Sequence, residues 1–385
     1  MDYELNEAQK KLQLEAAAFC STEIAPSARK LDEGPKEKAF TLLRENLKKL
    51  AGAGFLGAGV DDAGIDMISN YIVAEEIAKV CPATYLSGRA STFLCGGLIA
   101  LFGTAAQKER YLPGLLKGDL VGAVAYSESE AGSDISGITA AAKKGGDTWV
   151  LTGEKDIVAN GPIADLLLVL AYTSAEAGAE TGMSFFIVEK GAPGLTVGET
   201  IDTMGLRGLP LSSVSLSECR TAEFLGGEPG RGHAQLKKIL SMGTVGITAF
   251  SVGIGTACME KATAQAKNRK AFGRKIGSFQ DVGFKLADMF TYNDLGRMLA
   301  LRAAWAMNKG EEEADVIGAC AKLLSTEAAS KIANWTMQIF AGHGYLKGSE
   351  AERLYRDAKF GEICEGTSEM QRVFIAKNEL DKFTS

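Results

Sequence analysis

The sequence predicts a mixed α and β fold, mainly α: a helical region over 1–120, a β region over 121–231 and a second helical region over 232–385. Apolar residues recur three and four positions apart at both ends, whereas the middle breaks into short apolar runs punctuated by Gly, Asp and Pro. The last helical segments are long with short connections, the mark of an antiparallel bundle. At 385 residues the chain exceeds one ordinary core, so several domains are expected.

Taken in order, "EAQKKLQLEAAAFC", "KEKAFTLLRENLKKLAGAGF" and "MISNYIVAEEIAKV" each carry the helical period, with glycines or prolines between them. Asn6 is a candidate N-cap for the first, and Gln9 completes a capping box. From 121, the runs "VGAVAYS", "TWVLTGE", "DLLLVLAY", "MSFFIVEK" and "SSVSLSE" read as strands. After "GGEPGRGH", helices are predicted over roughly 234–270, 279–308 and 314–340.

Charged residues make up 23% and apolar ones 46%, the balance of a folded soluble protein rather than a disordered one. A formal net charge of −6 without a basic stripe gives no electrostatic reason to expect nucleic acid or anionic membrane. Seven cysteines without a C-x-x-C pair, five of them among apolar or small residues, fit a reducing compartment. The acidic start "MDYELNEAQKK" reads as neither signal nor transit peptide. The longest apolar run, around "ADLLLVLAY", is too short to cross a bilayer. A cytoplasmic protein without a membrane span is the expectation.

Most ordinary enzyme constellations are missing. There is no Walker loop, and the G-x-G of "SVGIGTACMEK" lacks a third glycine and a preceding strand, so it reads as helix packing. Two histidines, His233 and His343, exclude a His-rich metal site and argue against a Ser-His-Asp triad. What remains is a set of polar, glycine-containing islands: "AYSESEAGSDISG", "GEKDIVANG", "KNRKAFGRKIGSFQ", "QIFAGHGYLKGSEAERLYRDAK" and "CEGTSEMQR". A turn, a helix end or a surface carboxylate would account for any one of them alone.

Together and in this order, the islands resemble the acyl-CoA dehydrogenase family of flavoproteins over essentially the whole chain. "SESEAGSD" and "GHGYLKGSEAERLYRDAK" followed by "EGTSE" carry the resemblance most specifically. It implies a helical domain, a middle β-barrel or sandwich domain and a C-terminal four-helix bundle, assembled as a homotetramer. It further implies noncovalent FAD, an acyl-CoA substrate and electrons passed to an electron-transferring flavoprotein. The implied reaction forms a 2,3-enoyl thioester: a base takes the α-proton while the β-hydrogen leaves as hydride to the flavin.

By that resemblance Glu365, in "EGT", is the base, with Gly366 allowing close approach of substrate. A related branch carries its glutamate in the first bundle helix, but "LSMGTVG" here has no carboxylate. Tyr126 and Ser127 match residues approaching the flavin ring, and Ser133 matches one touching cofactor or acyl-CoA phosphate. Ile157 and Ala159 fall beside the ring, while Thr367 and Glu369 lie where the family contacts cofactor. Arg269, Phe272 and Gln280 match positions reaching the pyrophosphate and adenosine of a neighbouring subunit, a role suited to the planar fork of Arg. Gln338, Ala341 and Gly342 match the segment that completes the adenosine site.

Departures from the family pattern keep alternatives open. Ile157, Val158 and Ala159 replace an aromatic shield and a ring-bonding hydroxyl, a loss of about 1 kcal/mol for one neutral hydrogen bond. Ser241, Gly243 and Thr244 stand where relatives carry charged contacts to the CoA nucleotide, each worth roughly 1.5–3 kcal/mol. The "GAGVDDAGIDM" loop is short, and His343 reads as a packed histidine at a helix end. An oxidase, an enoyl thioester reductase, a dehydrogenase of an acyl carrier protein or a noncatalytic paralogue each fit these departures.

Overall fold

In the computed structural model, which describes residues 4–221 and 223–382, Asn6 opens the first helix. Its side chain accepts from the Gln9 N–H while the Gln9 side chain accepts from the Asn6 N–H, completing the expected capping box. Seven helices follow one another: α1 (Glu7–Phe19), α2 (Ala28–Glu33), α3 (Lys36–Gly52), α4 (Met67–Val80), α5 (Pro82–Gly88), α6 (Gly97–Phe102) and α7 (Ala105–Leu116). Between α5 and α6 the chain stays helical but widens into a π-helical stretch, Arg89–Gly96. Such widened turns are rare and recur at functional sites.

The middle region is a curled seven-stranded sheet. Its strands are β1 (Gly122–Ala125), β2 (Ala141–Gly145), β3 (Thr148–Ala159), β4 (Leu166–Tyr172), β5 (Met183–Glu189), β6 (Leu195–Thr200) and β7 (Leu211–Thr221). They lie in the order β1-β4-β2-β3-β7-β6, with β5 also on β4. β1 and β4 are parallel, Gly122 opposite Leu166, and the β2/β3 and β3/β7 pairs are antiparallel. The continuous run of β4 has a physical reason: Leu166, Leu168 and Leu170 face the main core while Leu167, Val169 and Ala171 face a second core within the sheet. A strand buried on both faces does not alternate. β2 and β6, half exposed and polar, had no such run to announce them. One short helix, α8 (Gly178–Gly182), interrupts the β region.

The C-terminal region holds α9 (Gly232–Asn268), the hairpin β8 (Lys270–Ala271) and β9 (Arg274–Lys275), α10 (Gln280–Lys309), α11 (Ala314–Phe340), α12 (Glu350–Ala358) and α13 (Ser368–Asp381). α9, α10, α11 and α13 form the four-helix bundle. α9 is apolar on all sides because α11, α4 and α10 surround it. A Cβ at Gly253 would lie 2.7 Å from the Glu75 carbonyl oxygen, and one at Gly255 2.1 Å from Asn293 Oδ1. The G-x-G is therefore a close-packing device, as its sequence context implied.

Two stretches, Pro82–Phe102 and Gly232–Asn268, are long and apolar enough to cross a membrane, which the run around "ADLLLVLAY" did not reveal. The most apolar window of each is 83% buried inside the protein, so both serve as core helices. α12 is tied down by polar contacts. Arg356 pairs with Asp32 and Glu352, and buried Asp357 accepts from the Leu206 N–H at 2.6 Å.

Candidate active site

The "CEGTSE" stretch does not extend a helix; it ends one and begins another. A short 3-10 segment, Lys359–Glu362, follows α12, and Thr367 then caps α13, its side chain accepting from the Met370 N–H at 3.3 Å. Between them Glu365 adopts φ +50° and Gly366 φ +92°. The left-handed conformation costs a non-glycine residue about 1–2 kcal/mol, so something must hold Glu365 there.

Arg89 holds the side chain. At the first position of the π-helical stretch, its Nε donates to Glu365 Oε1 at 2.9 Å and its Nη2 to Oε2 at 2.5 Å. The Arg89 and Glu365 side chains are 2% and 10% exposed, so Glu365 is no surface carboxylate. Nη2 also donates to the Gly243 carbonyl at 2.9 Å, and the guanidinium lies 4.4 Å over the Phe93 ring. Burial opposes the charge of Arg89, but Glu365 and Tyr85 hold its pKa above the ordinary arginine value.

α9 makes room for this pair. A Cβ at Gly243 would lie 2.7 Å from both Arg89 Nη2 and Glu365 Oε2, and one at Gly246 would lie 2.0 Å from Arg89 Nη1. Gly243 thus clears space for the ion pair, where the sequence suggested only a lost nucleotide contact. Tyr85 completes the wall, its hydroxyl donating to the Gly246 carbonyl at 2.8 Å.

Glu365 also faces a cavity of about 700 Å³, a size typical of ligand sites. Its walls come from all three regions: Leu86 and Ala90, then Tyr126 to Ser133 with Ile157, then α9 and the Glu365 turn. Among the predicted residues, Tyr126, Ser127, Ser133, Ile157, Ala159, Glu365, Gly366 and Thr367 all line it. Ser127 Oγ donates to the Asp156 carbonyl at 3.1 Å, and buried Lys155 donates to the Tyr126 carbonyl and to Glu128, fixing this wall. Ile157 has φ +52° and is 58% exposed at the cavity. Burial, then Glu365, pushes the Tyr126 hydroxyl well above its usual range.

The other predicted residues lie outside the cavity. Glu369 is exposed in the first turn of α13. Arg269, Phe272 and Gln280 cluster around the β8/β9 hairpin, with Phe272 94% exposed, and Gln338, Ala341 and Gly342 sit exposed at the end of α11. His343 is exposed there too, not packed, because the 3-10 turn after α11 points into solvent. No cluster of metal-binding side chains occurs among the described residues.

Sequence reasoning missed Arg89, Tyr85, Gly246 and Lys322. The signal was present: Arg89 is the sole charge in the stretch 82–102, and an ion in so apolar a run needs a partner. Ser241 lines the cavity, while its Oγ is buried with no hydrogen-bond partner.

Three family models match in succession: acyl-CoA dehydrogenase N-terminal domain over 6–119, middle domain over 123–219 and C-terminal domain over 230–380. The chain is 36% identical over 371 residues to the 3-(aryl)acrylate reductase of Clostridium sporogenes, covering 95% of this chain and 96% of that protein. Butyryl-CoA dehydrogenase of Megasphaera elsdenii superimposes with a TM-score of 0.91 at 32% identity, covering 99% and 100%. A chain in the solved structure of the electron transferring flavoprotein of Acidaminococcus fermentans gives a TM-score of 0.93 at 33% identity, covering 99% and 100%.

Proposed function

Because the chain belongs to the acyl-CoA dehydrogenase family, an oxidoreductase family whose cofactor is FAD, we propose that it removes two hydrogens from an acyl-CoA thioester, with Glu365 as the α-proton acceptor. One observation carries this reading: the Glu365 carboxylate, held by Arg89, faces a cavity that Tyr126, Ser127, Ser133 and Ile157 also line. The lining suits the reacting ends of cofactor and substrate, a flavin ring and an acyl chain. It offers apolar walls from Leu86, Leu211 and Ile157, with the hydroxyl-bearing Ser127 and Ser133 among them. When bound, FAD takes up the β-hydrogen as hydride.

The chain's own residues act on the proton. Arg89 keeps the largely buried Glu365 carboxylate oriented, so little reorganisation is needed at transfer. Proton uptake turns a neutral pair into an uncompensated guanidinium, a buried charge costing about 3–5 kcal/mol. Negative charge developing on the thioester oxygen in the same enclosed space offsets that cost.

The same pair favours a second reading, reduction of an enoyl thioester, the direction that the reductase relative's name describes. There Glu365 gives up its proton and regains Arg89 as partner. Electrons would pass between this enzyme and an electron-transferring flavoprotein, a partner supported by the similarity to a chain of such a structure. A homotetramer is part of the proposal: Phe272, Phe284, Phe290, Leu295 and Met298 leave an exposed apolar band along the hairpin and α10 that another copy would cover.

The test is an anaerobic titration of the purified holoprotein with short, branched, cyclic and long acyl-CoAs, followed by the flavin spectrum. Bleaching by one of them establishes dehydrogenation and its substrate class. A flavin unmoved by every saturated thioester, yet reoxidised by an enoyl thioester after chemical reduction, establishes the reductase instead. A flavin inert in both directions contradicts both.

A further inference from the structure

Lys322 lies in the N-terminal third of α11 and is 1% exposed, yet its ammonium ends beneath the Glu365 turn. It donates to three successive carbonyls: Cys364 at 2.7 Å, Glu365 at 3.3 Å and Gly366. Among the described residues it forms no salt bridge. Burying a lysine against carbonyls alone is costly, and a methionine would fill the same space without a charge. The three carbonyls belong to the two left-handed residues and the one before them, so the ammonium closes the turn that sequence and local propensity disfavour.

We propose that Lys322 is a positioning residue: it fixes the backbone from which Glu365 is presented, while Arg89 fixes the carboxylate. This rests on the reading of Glu365 as the base. Two buried cations on different elements, one on α11 and one on the π-helical stretch, thereby grip a single acidic residue from both ends.

The arrangement has a pH signature. Burial pulls the Lys322 pKa below the ordinary lysine value; Cys364 and Glu365 act to raise it and Arg89 to lower it. Burial pushes the neighbouring Cys364 thiol and Tyr85 hydroxyl up to about 12, and Arg89 stays protonated. Of these groups, Lys322 is the one whose charge change is drawn below the ordinary lysine value. Losing its proton leaves at most two N–H donors for three carbonyls. With its native pKa below its unfolded value, the unfolded chain holds more protons in that window, so this group adds stability as pH rises. Function falls there while the fold does not loosen.

The experiment is α-hydrogen exchange. Holoenzyme is incubated anaerobically in D₂O with the saturated thioester that bleaches the flavin best, and the recovered thioester is weighed by mass spectrometry. Glu365 takes a proton from the α-carbon and returns a deuteron, so the readout requires no net oxidation. Lys322→Met is expected to exchange roughly 100-fold more slowly at neutral pH, the scale of a misplaced catalytic group, and Lys322→Arg to recover part of that. Wild-type exchange is expected to fall at alkaline pH below the ordinary lysine range with the circular dichroism spectrum unchanged. Exchange at the wild-type rate in Lys322→Met, with exchange lost in Glu365→Gln, overturns this proposal alone. Exchange undiminished in Glu365→Gln overturns the base assignment and this proposal with it. If Lys322→Met does not fold, a wild-type profile that stays flat through the lysine range overturns the proposal.

Discussion

Arg89 and Glu365 meet through two hydrogen bonds, of 2.9 and 2.5 Å, although 276 residues separate them in the chain. One stands in the N-terminal helical region and the other in the C-terminal one, so the pair forms only when the regions close on each other. Its burial makes it a determinant of stability as well as chemistry.

Arg89→Met should cost about 3–5 kcal/mol, because it strands the Glu365 carboxylate without its cation. The double variant with Glu365→Gln should recover most of that loss. Chemical denaturation of the four members of the cycle measures the coupling. A cost under about 1 kcal/mol for Arg89→Met would place the pair among solvent-screened surface bridges.

Gly246→Ala should perturb the same pair without touching its charges. The added methyl lands 2.0 Å from Arg89 Nη1, and overpacking of this kind costs about 1–3 kcal/mol. Gly52→Ala, where nothing lies within 4 Å, is the control and should be neutral or slightly stabilising. Equal stability of the two variants by denaturant titration would refute the space-clearing role of Gly246.

Asp357 gives a prediction on pH. Burial raises its carboxyl from 3.8 to about 6, with Arg353 and the Leu206 N–H acting against the rise. Its native value lies above its unfolded one, so the stability it contributes is complete below about pH 4 and is lost as pH rises through 6. Stability measured from pH 4 to pH 7 should decline by on the order of 2 kcal/mol from this group. Asp357→Asn should remove that decline; an unchanged slope would show that Asp357 is not its source.

The architecture and the Glu365 turn were legible in the sequence for different reasons. Helical periods and the five apolar strand runs follow from burial, and Glu365 stands in a local motif, "EGT". Arg89 and Lys322 were not legible, because their partners are set by tertiary closure rather than spacing. Each sits in an apolar helix where a periodic pattern says only that the helix is buried. Gly243 misled for the same reason: an absent side chain reads as a missing contact until the atoms that occupy its space are known. Thr367 was placed by resemblance at the cofactor, and the structure adds that its hydroxyl caps α13.

The central claim, that Glu365 is the residue that takes the α-proton, is tested most directly by comparing the wild-type holoenzyme with Glu365→Gln. Each is mixed anaerobically with the preferred acyl-CoA, and the rate of flavin bleaching is recorded. Both proteins should be equally yellow, and the variant should bleach at least 10²–10⁴-fold more slowly, the range for a lost general base. Bleaching at the wild-type rate in Glu365→Gln would contradict the account.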